Sequence, residues 1–211
     1  MNAIHFKRNE EIVNAITHGI GFLLAIAATA ILTVRASIHG NAWHIVTYSI
    51  FGAGLINLYL ASTLYHSSTR AQIKYYLNRF DHSSIYVLIA ATYTPFTLVA
   101  LKGAFGWVIF GLIWAMAIAG VVFKIWFYTT KFRTLSTWLY IAMGWLIIIA
   151  IVPIVKNLPN ISLWFLFAGG LSYSIGTFFY LKKSIPFGHG IFHLFILGGS
   201  ICHFFALFYL L

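Results

Sequence analysis

Four ionisable side chains, His66, Asp81, His189 and His193, stand at the ends of apolar segments long enough to cross a membrane. Such groups are costly in a bilayer and as a rule face a protein interior or a cavity. His189 and His193 are four residues apart, so on a helix they share one face and can chelate one ion. Imidazole suits zinc, which takes about four ligands at roughly 2.0–2.2 Å and keeps one position open in catalytic sites. His66, from another segment, would complete three protein ligands. Asp81 would then lie just outside them, orienting and deprotonating a water. Ser62 precedes His66 by about one helical turn and can reach that water, a substrate oxygen or a ligand.

Each residue also has a plainer reading. His189 and His193 could simply hydrogen-bond between helices. Asp81 could cap a helix N-terminus, and Ser62 could be a small residue at a close helix contact. Glu11, Asn14 and His18 recur at i, i+3 and i+7, a single helical stripe expected to brace the site from outside the ligands. His203 lies ten residues past His193, about 15 Å deeper by helical rise, where it would line a cavity or bond a neighbouring helix. His82 adjoins Asp81 but should point about 100° away. His5, His39 and His44 read as interfacial, without a ligand role.

Helices must position these groups. The 211-residue chain is 61% hydrophobic and 8% charged, with a mean hydropathy of +0.91, whereas a soluble domain carries about 25% charged residues. The expected architecture is an all-α membrane protein. It has one domain over 1–211, a seven-helix bundle with spans near 17–37, 43–66, 81–101, 104–127, 136–155, 161–181 and 188–210. A membrane β-barrel would show strands of about ten residues with alternating polarity. Here the run from Trp145 to Val152 is continuously apolar. Connections are expected at Gly40-Asn41, Gln72 to Asn78, Lys102-Gly103, Thr129 to Thr134, Leu158 to Asn160 and Lys182 to Gly188. Pro95 falls inside span three. It should free a carbonyl near Ala91, with Thr92 or Thr94 filling the gap.

The net charge of +10 lies in short clusters between apolar runs, which suits anionic headgroups and orientation rather than nucleic acid. Lys7, Arg8, Arg70, Lys74, Arg79, Lys124, Lys131, Arg133, Lys182 and Lys183 fall on one side, ten in all, against Arg35, Lys102 and Lys156 on the other. The N-terminus is therefore expected in the cytoplasm and the C-terminus outside. Lys124, near a helix end, is expected to snorkel. His66, Asp81, His189 and His193 all fall at the cytoplasmic side of this topology, which does not use them. Cys202 has apolar neighbours and reads as an inert thiol. Ala25-Ile26-Ala27 resembles a signal cleavage site, but the apolar run continues to Val34 and marks a retained span.

Four motifs in order carry a family resemblance. They are Glu11-x2-Asn14-x2-Thr17-His18-Gly19, Ser62-x3-His66, Phe80-Asp81-His82-Ser83-Ser84-Ile85-Tyr86, and Pro186-x2-His189-x3-His193. Together they resemble the hemolysin III family, the bacterial branch of the progestin and adipoQ receptor family. The resemblance covers almost the whole chain. It implies a seven-helix protein of the bacterial plasma membrane with zinc near the cytoplasmic face. The family's zinc histidines match His66, His189 and His193, its motif aspartate Asp81 and its motif serine Ser62. The family is also grouped with alkaline ceramidases, which implies metal-dependent hydrolysis of a lipid-derived amide or ester, with membrane lipids as partners. The adiponectin-receptor branch carries a longer N-terminal region, so hormone-receptor activity is not expected here. The alternative is a receptor or sensor whose zinc is structural. A lytic pore would need a polar path through the bundle, and the outer halves of the spans carry few polar groups. No residue visible here accounts for the hemolysin label.

Overall fold

The computed structural model describes residues 3–127, 132–182 and 184–211, with side chains from Arg8 onward. Its helices are α1 (Ala3–His39), α2 (Ala42–Ser67), α3 (Ala71–Pro95), α4 (Gly103–Val122), α5 (Arg133–Gly144), α6 (Ile151–Asn157), α7 (Asn160–Leu181) and α8 (Gly188–Phe208). π-helical turns at Phe96–Leu101 and Phe123–Phe127 extend α3 and α4, and a 3-10 stretch at Trp145–Ala150 joins α5 to α6. Seven helical segments of the described residues are long and apolar enough to cross a membrane, the fifth being the composite Arg133–Asn157. None of the described residues is in a strand. The chain is an all-α, multi-pass membrane protein.

α1 packs on α2 and α8, α2 on α3, α3 on α4 and α5, and α7 on α5 and α8. The third segment lies at the centre: 67% of its apolar window is buried, against 22% for the first and fifth. Outward faces carry apolar side chains such as Leu23, Val108, Ile149 and Trp164, as a surface in contact with lipid requires. Inside, polar atoms bond across helices. Tyr48 donates to the Leu207 carbonyl at 2.8 Å, and Ser162 to that of Ala206 at 2.6 Å.

Hydropathy located the spans but not the helix ends. α1 begins before residue 17, and α3 begins at Ala71 and runs through the whole stretch expected as a connection over 72–78. Hydropathy marks the apolar slab, whereas a helix continues past it wherever its backbone bonds and side chains find partners. Arg79 does so in this extension, bonding Tyr75 and donating to the Ile125 carbonyl at 2.7 Å. The first half of the expected connection at Thr129 to Thr134 lies outside the described residues, and α5 already begins at Arg133.

Two local expectations are corrected. Thr92 and Thr94 do not reach the Ala91 carbonyl but bond those of Leu88 and Ala90, at 2.8 and 2.9 Å. The chain absorbs Pro95 by widening into a π turn. The apolar run at Trp145 is not a regular α-helix either. The Tyr93 hydroxyl inserts there, donating to Met143 and Gly144 carbonyls at 3.0 and 2.8 Å and accepting the Ile147 N–H at 2.7 Å. A side chain inserted into the backbone ladder is an ordinary cause of such a break.

Candidate metal centre

His66 occupies the last turn of α2. Ser68 then leaves the helix in extended conformation while its N–H still closes on the Leu64 carbonyl at 3.1 Å. α8 starts after Phe187, whose φ of 54° places a bulky residue in the left-handed region, at a cost of about 1–2 kcal/mol. This turn puts His189 in the first turn of α8 and His193 one turn further along. Gly190 faces α1, where a Cβ would stand 3.2 Å from Val13 Cγ1 and 3.3 Å from Asn14 Oδ1. Its bareness lets α8 approach α1 closely.

The three imidazoles converge. His66 Nε2 and His189 Nε2 are 3.3 Å apart, and one nitrogen from each of His66, His189 and His193 lies within 4.8 Å of the other two. Zinc–nitrogen bonds of about 2.0–2.1 Å at tetrahedral angles separate the nitrogens by about 3.3–3.4 Å. The His66–His189 pair already stands at that spacing, and the group is able to hold a metal ion. His66 and His193 are also tied from behind. His66 Nδ1 lies 2.9 Å from Glu11 Oε2, which accepts a second bond from Lys74 Nζ at 2.7 Å. A carboxylate beside an ammonium only accepts, so Nδ1 carries the proton and Nε2 presents its lone pair to the centre. His193 Nδ1 lies 3.4 Å from Thr17 Oγ1, and its ring stacks on His18 with centroids 3.5 Å apart.

The expected stripe on α1 therefore surrounds the cluster, with Glu11 and His18 in direct contact and Asn14 buried beside Gly190. Thr17 and Lys74 have no role in the sequence reading. Thr17 lies within the first motif, and Lys74 stands in the segment read as a connection. Seven residues before Asp81, it falls on the same helical stripe once the helix is extended.

Asp81 is not an N-cap. Arg70 holds that position, and Asp81 lies ten residues inside α3 after Ala71. It is buried, interacts electrostatically with His66 and Lys124, and is not one of the three clustered donors. Ser62 is beside it, its buried Oγ interacting with the Asp81 carboxyl. His82 does not turn away from the site. Its ring lies 3.6 Å from the Asp81 carboxylate, approaches the Tyr180 hydroxyl at 3.2 Å and lines the adjoining cavity. Lys124 does not snorkel. Its side chain is 1% exposed and its ammonium lies 5.6 Å from the Tyr140 ring, because the π turn at Phe123–Phe127 aims it inward. His39 is exposed and His44 completes the capping box of α2 with Asn41. The side chain of His5 lies outside the described residues.

A cavity of about 150 Å³ adjoins the cluster. Its lining runs along α3 from Asp81 to Phe96 and along α8 from His189 to His203. The lining positions on these two helices spread over about 22 Å of helical rise, so the cavity is elongated along the bundle. Most of the lining is apolar, including Leu58, Ile85, Leu88, Phe96 and Leu166.

Known proteins resemble this chain over almost its whole length. The chain is 51% identical over 205 residues to "Hemolysin-3 homolog" of Bacillus subtilis (strain 168), covering 97% of this chain and 96% of that one. It is 49% identical over 203 residues to "Hemolysin-3" of Bacillus cereus, covering 96% and 92%. At 28% identity over 205 residues it also resembles the human "Monocyte to macrophage differentiation factor", covering 94% and 83%. The model of the family described as "Haemolysin-III related" matches residues 6–204, from the helix that carries Glu11 to the one that carries His189 and His193, and the chain belongs to that family.

Proposed function

We propose that this protein is a zinc-dependent membrane hydrolase acting on a lipid-derived amide or ester, with its site at the cytoplasmic face. The observation that carries the reading is a mostly apolar cavity that reaches the three-histidine cluster. The hydrocarbon part of the substrate would lie along the apolar lining, with its polar head at the imidazoles. Zinc held by His66, His189 and His193 would supply Lewis acidity, acidifying a water and polarising a carbonyl. Asp81 takes the proton of the attacking water and returns it to the departing nitrogen or oxygen, so one water is consumed and an acid and an amine or alcohol leave. Ser62 donates to the carbonyl oxygen as charge grows there. Glu11, Lys74, Thr17 and His18 hold the imidazoles in place. The amide preference rests on the family resemblance.

The test is to purify the protein and assay ceramide-like and acyl-lipid substrates with and without a chelator. The expected result is turnover that chelation abolishes and zinc restores. Bound metal without turnover across a broad lipid panel would overturn the hydrolase and leave a receptor or sensor with a structural ion.

A further inference from the structure

The end of α1 farthest from the histidine cluster carries a cation that the chain does not neutralise. Arg35 lies in the last turns of α1, 24 residues past Glu11 and so about 36 Å from it by helical rise. The chain has three acidic residues, Glu10, Glu11 and Asp81. Glu11 is bonded to His66, Glu10 adjoins it in sequence, and Asp81 is buried near the cluster. Among the described residues no carboxylate stands within ion-pair distance of Arg35. Charges carried by membrane spans as a rule find a partner, and the protein supplies none here.

Arg35 is nevertheless held in place. Its Nε donates to the Phe208 carbonyl at 3.0 Å, capping the end of α8, and its Cζ lies 4.3 Å from the centroid of the Phe208 ring. A guanidinium has five N–H donors, and the Phe208 carbonyl takes one. The four on the terminal nitrogens have no acceptor among the described residues. They form a planar fork of the kind that binds two oxygens of a phosphate.

An open groove runs along this part of α1. Ile31, Val34 and Ile38 form its apolar wall, and Arg35, His39 and Phe208 also line it. Val34 is 57% exposed and Arg35 is half-buried, so the groove is reached from the bilayer side. Ile31 and Val34 precede Arg35 and stand deeper in the span, whereas His39 lies one turn beyond it at the helix end. Apolar wall, guanidinium and imidazole thus follow the order of tail, phosphate and headgroup in a membrane lipid.

We propose that this groove binds one anionic glycerophospholipid, its phosphate on the Arg35 fork, an acyl chain along Ile31 and Val34, and its headgroup toward His39. Charge complementarity selects the class. A zwitterionic phospholipid carries its own cation beside the phosphate, while an anionic one leaves its charge for the guanidinium. Free phosphate has no chain to cover the apolar wall. The site is remote from the histidine cluster and does not depend on the hydrolytic reading.

The test titrates the full-length protein in detergent micelles with phosphatidylglycerol and with phosphatidylcholine of identical chains, and reads bound lipid by native mass spectrometry. Phosphatidylglycerol is expected to bind about fivefold more tightly. Arg35→Gln should abolish that preference. Lys156→Gln, which deletes an exposed cation expected on the same side, should keep it. Val34→Trp fills the groove from a lipid-facing position, leaves the α8 cap intact and should weaken phosphatidylglycerol binding; it decides the matter if Arg35→Gln does not fold. Equal binding of the two lipids overturns the site, as does a preference that survives Arg35→Gln or Val34→Trp. A preference that Lys156→Gln lowers equally marks diffuse surface charge and overturns it too. Competition by inorganic phosphate at the lipid's own concentration would leave a bare anion site and overturn the phospholipid.

Discussion

His66 and His193 are also held by contacts outside the histidine cluster. The Glu11 carboxylate and the Tyr65 ring meet His66, and Thr17 and His18 meet His193. Supporting contacts of this kind fix ring orientation and raise ligand basicity. His66→Ala is expected to reduce zinc from about one ion per chain to a small fraction, read by elemental analysis of the purified protein. Glu11→Gln keeps the shape but removes the charge, and should weaken zinc binding about 10- to 100-fold in a chelator competition. Asp81→Asn should leave the zinc content unchanged and lower kcat by about 10²- to 10⁴-fold, because it removes the proton acceptor and no ligand. Loss of the ion in that variant would make Asp81 part of the binding set instead.

Among the helices, small residues decide how close the site-bearing elements come. Gly54 on α2 faces α3, and a Cβ there would lie 2.6 Å from the Ala91 Cβ. A methyl carbon on a packed helix has no rotamer with which to retreat. Gly54→Val should therefore destabilise the bundle by about 1–3 kcal/mol, seen as a lower Tm in detergent, while the same change at Gly111, with nothing within 4 Å, should cost less. The elements also show where sequence reading ends. The seven spans were legible because about 20 apolar residues in lipid have few alternatives to a helix. The added turns of α3 were not, since Tyr75, Asn78 and Arg79 are polar enough to read as a loop. The break at Trp145–Ala150 was hidden for the opposite reason. Its residues are uniformly apolar, and its cause is the hydroxyl of Tyr93, about 50 residues away in the chain.

For the whole molecule, we propose that the histidine cluster lies in the cytoplasmic leaflet, as the positive-inside count predicts. In a Cys202→Ser background, a cysteine at Asn41 should react with an impermeant maleimide on intact cells. One at Thr69 should react only after permeabilisation. The reverse pattern would put the site at the outer face. Either way the cluster and the cavity stay together, because α2 and α8 contribute residues to both.

The types and spacing of His66, His189 and His193, and the apolar lengths between them, determined a helical membrane protein with a metal-compatible group at one face. Those are properties of single helices and of the bilayer as solvent, so a linear chain displays them. Tertiary structure alone decided that Lys124 turns inward, that His82 joins the cavity and that Lys74 reaches Glu11. Each depends on which residue of a distant helix stands opposite, and that pairing is set by how whole helices pack.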